Sequence, residues 1–268
     1  MEKPKKDPVD EEIEERRAPS SRIIHDTIVR EGEEELERSP QALAWSGVAA
    51  GFSMGASTIA EAALHARLGE GTWTMLVSKF GYCVGFLVVI LGRQQLFTEN
   101  TLTPILPLLD KNSSATFWKV ARLWGIVLLT NLIGAAVVAL FLTKAPVLEE
   151  SIRVELLKLG EITVRPDFIT IACRGVLAGW LIALLVWLLP FAEAGRVWII
   201  IILTYVIGIA GFSHVIAGSI EVFALAWAER LSWVQAFIGF IIPALIGNII
   251  GGVALVASIN HAQVVPDK

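Results

Sequence analysis

Charge is scarce in this chain and unevenly spread. Lys, Arg, Asp and Glu make up 18% of its 268 residues, where a soluble domain carries about 25%. The charge is densest within residues 1–40, which hold 21 of the 48 charged residues, and long stretches beyond Gln41 carry almost none. No basic block offers a nucleic-acid footprint. Cysteine is nearly absent: Cys83 and Cys173 both lie inside apolar runs, with neither metal-ligand spacing nor the makings of a disulfide framework. The sequence also lacks HExxH, CxxC, a phosphate loop, a nucleophile motif and a carboxylate pair. Its residue order therefore supports no enzyme, cofactor or metal centre. The first thirty residues have no apolar h-region, so no signal peptide is expected and the N-terminus is expected in the cytoplasm.

What the chain has in quantity is apolar surface, 54% of residues with a mean hydropathy of +0.64. A membrane-crossing helix needs about 20 such residues. Four runs meet that length directly: span 1 over 42–64, span 3 over 120–142, span 4 over 168–190 and span 6 over 234–258. Two do not. Phe80 to Leu91 is too short and runs into Gly92-Arg93-Gln94-Gln95, after which apolar character resumes at Leu96-Phe97-Thr98 and ends in Thr103-Pro104-Ile105-Leu106-Pro107. Val197 to Ala228 is too long, with Gly208, Gly211 and Gly218 around Phe212-Ser213-His214. Both read as helices broken part-way through the membrane. Irregular backbone at that depth is tolerated only where protein buries it or a cavity adjoins it.

A weak internal repeat pairs the two breaks. Gly47-Val48-Ala49-Ala50-Gly51 in span 1 matches Gly175-Val176-Leu177-Ala178-Gly179 in span 4, and Asn131-Leu132-Ile133-Gly134 in span 3 matches Asn248-Ile249-Ile250-Gly251 in span 6. Phe97-Thr98 matches Phe212-Ser213, giving offsets of 128, 115 and 117 residues for the three pairs in chain order. The expected fold is thus an all-α membrane protein of six helices. Its two three-span halves are inverted, helices 2 and 5 are broken, and the pathway lies at the repeat interface near the midplane. Residues 1–40 are expected as a charged arm, mostly disordered with some helix, 41–260 as the channel domain and 261–268 as a short tail. Lys and Arg show no inside bias between loops, but an even number of spans puts both termini on one side, expected to be cytoplasmic.

His214 is the most informative single residue, because an ionisable group inside a span marks function by default. Thr98 supplies a hydroxyl at the matching break, where free half-helix N–H groups suit an anion. Leu96 and Phe97 are candidates for an apolar constriction. Arg93 with Glu99 and Arg174 with Glu221 are candidate ion pairs, and Glu61 and His65 are expected at the membrane interface.

These residues carry a family resemblance. Gln95-Leu96-Phe97-Thr98-Glu99-Asn100, Gly211-Phe212-Ser213-His214 and the Asn131 and Pro243–Gly252 segments resemble the motifs of the formate/nitrite transporter family, most closely its YfdC-type branch, over about residues 25–260. That resemblance implies an aquaporin-like protomer in a homopentamer within the bacterial inner membrane. Each protomer would hold its own pore for small monovalent anions or their acids, such as formate, nitrite and hydrosulfide. His214 matches the family's central pore histidine and Thr98 the threonine opposite. Leu96 and Phe97 match constriction residues, and Phe86, Tyr82 and Ile207 are expected along the same pathway, with Phe212 beside them. The sequence departs from the family pattern at Ser213, Gly218 and Gly179, where polar pore residues are expected. Tyr82 and Ile207 stand in for phenylalanines, and Thr163 stands in for a vestibule lysine that Arg165 would replace.

Magnitudes favour passage of the acid. A bare anion in a low-dielectric constriction faces tens of kcal/mol. Protonating a carboxylate of pKa ~4 at pH 7 costs roughly 4 kcal/mol. His214, whose unperturbed pKa is about 6.5, could donate a hydrogen bond or relay the proton. Two alternatives remain open on sequence alone: a channel for neutral solutes such as water or glycerol, and a non-transporting scaffold built around the charged arm.

Overall fold

A computed structural model of the chain describes residues 19–192 and 194–264, and among these all regular structure is helical. The parts of the expected arm and tail over 1–18 and 265–268 lie outside the described residues. From Ser21 the arm is not a solvated coil. It forms α1 (Ser21–Glu37), started by the Ser20 side chain accepting from the Ile23 N–H and burying His25, Ile28 and Leu36. The acidic face remains outward, so the sequence shows charge while the opposite stripe packs on the membrane-type helices.

Span 1 is two helices, not one. α2 (Pro40–Ser53) begins with Pro40 in the first turn, where its missing N–H costs nothing, and with Ser39 accepting from the Ala42 N–H. It meets α3 (Gly55–Leu68) at Met54. Among the described residues, four helical segments are long and apolar enough to cross a membrane. These are α4 (Thr74–Leu91), α6 (Ser114–Lys144), α8 (Phe168–Leu188, extended by a 3-10 turn to Phe191) and α11 (Trp233–Val264). Between them stand the short α5 (Ile105–Lys111) after a 3-10 turn at Glu99–Thr101, the surface helix α7 (Glu150–Thr163), α9 (Arg196–Ile209) and α10 (Val215–Trp227). Within α11, π turns over Phe237–Ile241 and Ile250–Ser258 flank the segment that contains Pro243. A proline removes one helical donor and crowds the preceding turn, and a π turn is a common way of absorbing that.

The helices pair as α2 with α6, α3 and α9 with α4, α8 with α11, and α10 with α6. Two of these contacts have the same chemistry. Gly51 brings α2 against the Asn131 backbone of α6, and Gly179 brings α8 against the Asn248 backbone of α11; a Cβ at either would overlap the facing carbonyl. Many large apolar side chains face outward, Trp45 at 77% and Trp118 at 69% exposure among them. Such a surface suits lipid or a neighbouring subunit.

Candidate functional site

The chain is interrupted twice, and the two interruptions end their helices in the same way. α4 stops in a Schellman arrangement, with Gln94 N–H donating to the Val89 carbonyl at 3.0 Å and Arg93 N–H to Ile90 at 3.1 Å. α9 repeats it, with Phe212 N–H to Ile207 at 3.0 Å and Gly211 N–H to Gly208 at 3.2 Å. Arg93 (φ 50°) and Gly211 (φ 64°) take the left-handed conformation that this cap needs. Non-helical backbone follows, Gln94–Leu96 in one case and Phe212–His214 in the other.

One buried asparagine holds each break. The Asn131 side-chain amide donates to the Gly47 carbonyl at 2.9 Å and the Gln95 carbonyl at 2.8 Å, while its oxygen accepts from the Phe97 N–H at 2.9 Å. The Asn248 amide donates to Gly175 at 2.9 Å and Ser213 at 2.8 Å, and its oxygen accepts from the Val215 N–H at 2.9 Å. Two break-segment backbone groups at each site are thereby satisfied, and the break is tied to a helical glycine carbonyl, at zero exposure of either asparagine. These bonds correct the register read from sequence. Phe97 corresponds to Val215 and Leu96 to His214, an offset of 118 residues, whereas the Phe-hydroxyl match gave 115. The asparagines were visible as repeat markers, but their bracing role was not.

His214 caps α10. Its Nδ1 accepts from the Ala217 N–H at 3.2 Å, which leaves that nitrogen unprotonated and assigns the ring proton to Nε2. Nε2 in turn lies 2.8 Å from the Thr98 hydroxyl, so the two breaks meet in one hydrogen bond. The Phe86 edge packs on the His214 ring at a centroid distance of 4.9 Å, and Tyr82 lies 5.3 Å from Phe86.

Two cavities flank this contact. The larger, about 490 Å³, includes Glu31, Glu35, Arg93, Gln95, Glu99 and Arg196 in its wall. The smaller, about 100 Å³, includes Lys79, Tyr82, Thr163, Ile207, Ser213 and Glu221. On α4, Tyr82 lines the small cavity and Ile90 the large one, eight residues or about 12 Å apart along the helix. Phe86 lies midway on the same face and is fully buried, as are Leu96 and Thr98.

The expected site residues divide accordingly. His214, Thr98, Phe86 and Tyr82 form one contiguous file, and Phe212, Ser213 and Ile207 line the smaller cavity. Phe97 turns away and packs edge-on against Trp124 at 5.6 Å. Gly179 is a helix-packing position against Asn248 and not part of the file. At Gly218 the Phe240 ring occupies the space that a side chain would need. The expected ion pairs also differ. Arg93 reaches Glu31 at 3.6 Å, and a buried Glu99 carboxylate oxygen has no hydrogen-bond partner among the described residues. Glu221 accepts from the Thr163 hydroxyl, and Glu61, 1% exposed, pairs with Lys79. Lys79 and Arg174, and not Arg165, are the cations in the small cavity's wall. Across the large cavity, burial raises the Glu31 carboxyl above its ordinary range, with Arg93 opposing.

Comparison with known proteins agrees with this architecture. The formate/nitrite transporter family model matches residues 22–262. The chain is 38% identical over 254 residues to inner membrane protein YfdC of Escherichia coli (strain K12), covering 94% of this chain and 82% of that protein. Among solved structures, a pentameric formate channel with formate bound superposes with a TM-score of 0.70 at 19% identity, over 89% of this chain and 99% of that one. An FNT family ion channel superposes with a TM-score of 0.80 at 17% identity, over 90% and 98% respectively.

Proposed function

The chain belongs to the formate/nitrite transporter family, and from that premise we propose that it carries a small monovalent anion of the formate or nitrite kind, as the anion or as its conjugate acid, through a pore in each protomer. The family is one of transporters rather than enzymes. In this reading the protomer has six spans: α2–α3, the broken pair α4 and α5, α6, α8, the broken pair α9 and α10, and α11. The matched bracing by Asn131 and Asn248 supports an inverted 3+3 repeat. The protomers form a homopentamer, as the similar formate channel does. They sit in a bacterial inner membrane with both termini cytoplasmic, in keeping with the YfdC likeness.

The observation that carries the proposal is the 2.8 Å contact between Thr98 and His214, buried between two cavities. An incoming anion displaces that contact and accepts from both the Nε2–H and the hydroxyl, at the start of a 13-residue helix whose dipole favours negative charge. Because Nδ1 is engaged by Ala217, His214 stays a neutral imidazole that donates its Nε2–H as a hydrogen bond, and the proton that forms the acid comes from water. Passing the apolar Phe86 and Leu96 is then cheapest as the neutral acid. Proteoliposomes containing the full chain test this: formate uptake should rise as external pH falls between about 8 and 5, and His214→Phe should abolish it. Undiminished flux in that variant refutes the role of the histidine.

A second reading, a neutral-solute channel, draws on the large cavity's wall, where the carboxylates of Glu31, Glu34, Glu35 and Glu99 outnumber the guanidinium groups of Arg38, Arg93 and Arg196. Glycerol or water flux without formate flux in the same vesicles would favour it.

A further inference from the structure

The residue spacing carries no metal motif, but folding brings together three side chains that are far apart in the chain. His25 on α1, Asp110 at the end of α5 and His261 in the last turn of α11 each offer one ligand atom, and these atoms all lie within 4.8 Å of one another. His25 Nε2 is 3.2 Å from His261 Nδ1, and His261 Nδ1 is 3.7 Å from an Asp110 carboxylate oxygen. A tetrahedral Zn²⁺ with bonds near 2.0–2.2 Å holds its ligand atoms about 3.4 Å apart, so both separations suit an ion seated between them.

The protonation pattern points the same way. His25 is completely buried, and its Nδ1 lies 3.2 Å from an Asp26 carboxylate oxygen. Donation of the Nδ1 proton to Asp26 leaves Nε2 as a bare lone pair aimed at His261. A carboxylate behind the outer ring nitrogen is the usual support of a metal-binding histidine, since it fixes tautomer and ring orientation. His261 Nδ1 faces both the His25 lone pair and the Asp110 carboxylate, an arrangement that a cation seated between them would join.

We propose that His25, His261 and Asp110 form a binding site for a divalent first-row transition ion, Zn²⁺ foremost, that clamps α1 to the end of α5 and to the C-terminal turn of α11. Two imidazoles and one carboxylate suit such an ion and not Ca²⁺ or Mg²⁺, which require mostly oxygen ligands. The clamp bears on the pathway because α1 also carries Glu31, Glu34 and Glu35 into the wall of the large cavity. An occupied site holds that wall in place.

The test uses tag-free, full-length protein in detergent, stripped of metal with a chelator and titrated with ZnCl₂ by calorimetry, with MgCl₂ as control. One Zn²⁺ per chain should bind, raise the thermal unfolding temperature and find no counterpart with Mg²⁺. His25→Ala risks misfolding because the ring is buried, so the decisive variant is the double change Asp110→Asn with His261→Gln, whose side chains are 23% and 18% exposed. That variant should remain folded and lose Zn²⁺ affinity by at least about 100-fold, more than the 10–100-fold seen when only a supporting residue is removed. The proposal is overturned if the wild type takes up no Zn²⁺ saturably, or if the double variant binds it as tightly as the wild type. Either result is read without any transport measurement, so failure here leaves the proposed anion pathway standing.

Discussion

The first break and the second share a backbone and differ in what hangs from it. Both end a helix in a Schellman cap, run extended, and are braced by a buried asparagine on the facing helix. At equivalent positions, however, the first break presents Leu96 and the second His214. The first is tied down by more side chains: the Gln95 N–H donates to Ser46, its amide donates to Glu35 at 2.7 Å, and its carbonyl oxygen accepts from Asn100 at 2.9 Å. The corresponding Ser213 is held through Asn248 and faces the small cavity. One framework thus yields a wall fastened to α1 beside the large cavity on one side and a histidine-bearing wall beside the small cavity on the other. The matched backbone supplies the geometry, and single residues supply the chemistry.

The largest effect should come from removing the shared brace. Asn131→Leu and Asn248→Leu each strip three hydrogen bonds, two of them from break-segment backbone groups with no helical partner in reserve and one from a helical glycine carbonyl. Each bare group costs about 1–3 kcal/mol, against the ~0.6 kcal/mol typical of an interhelical bond in a membrane. Both variants should lose most of their folded material in size-exclusion and thermal-unfolding assays, to a similar degree. Tolerance of one and collapse of the other would break the equivalence of the halves.

Next in size is the side-chain difference itself. His214→Leu gives the second break the residue of the first and removes both the Nε2–H and the α10 cap. Loss of a hydrogen bond to a charged partner is worth about 1.5–3 kcal/mol, so formate flux should fall roughly 10- to 100-fold. His214→Asn retains a capping acceptor for the Ala217 N–H. Equal unfolding temperatures for the Asn variant and the wild type, with flux still lost, would separate transport from folding.

The sequence made the breaks legible through run length, one run too short and one too long, and through the ordered Asn-x-x-Gly and Gly-x-x-x-Gly matches. That His214, Thr98, Phe86 and Tyr82 lie together was legible, the first two as polar groups at the two breaks and the aromatics through the family resemblance. The register was not legible, since a Phe-hydroxyl pair carries no information about which N–H an asparagine will accept from. Nor were partners across helices: Glu61 with Lys79, Glu221 with Thr163, and Gly218 under the Phe240 ring depend on side chains from different elements. The folded face of α1 was hidden because its buried stripe is short and set in a strongly acidic run. Span 1 was read as one helix because the bend at Met54 leaves no proline or glycine run to announce it.

A smaller effect sharpens the comparison at the caps. Gly211 sits at φ 64° at no steric cost, while Arg93 pays for φ 50° in the same role. Gly211→Ala should destabilise by roughly 1 kcal/mol. Arg93→Gly should gain about as much, less the 0–1 kcal/mol of its solvent-exposed pair with Glu31. Unfolding temperatures that move in opposite directions support matched caps; a loss at both positions would show that Arg93 is held for its charge.

The smallest effect concerns the fastening of the first break by α1, for which the second has no equivalent. Burial raises the Glu31 carboxyl, and Arg93 opposes that rise. The docked state of α1 therefore binds this proton more readily than the undocked state does. Docking is favoured below the raised pKa and weakens as pH climbs through it, over a window lying above the ordinary carboxylate range. Hydrogen exchange across residues 21–37 should accordingly be better protected, after correction for intrinsic rates, on the acid side of that window. Glu31→Gln, which keeps the shape and removes the titration, should flatten the dependence and leave the second break unaffected. If the pH dependence persists in the variant, the docking of α1 is set by Glu34, Glu35 or the Gln95 contact, and the asymmetry between the two breaks lies in hydrogen bonding rather than in charge.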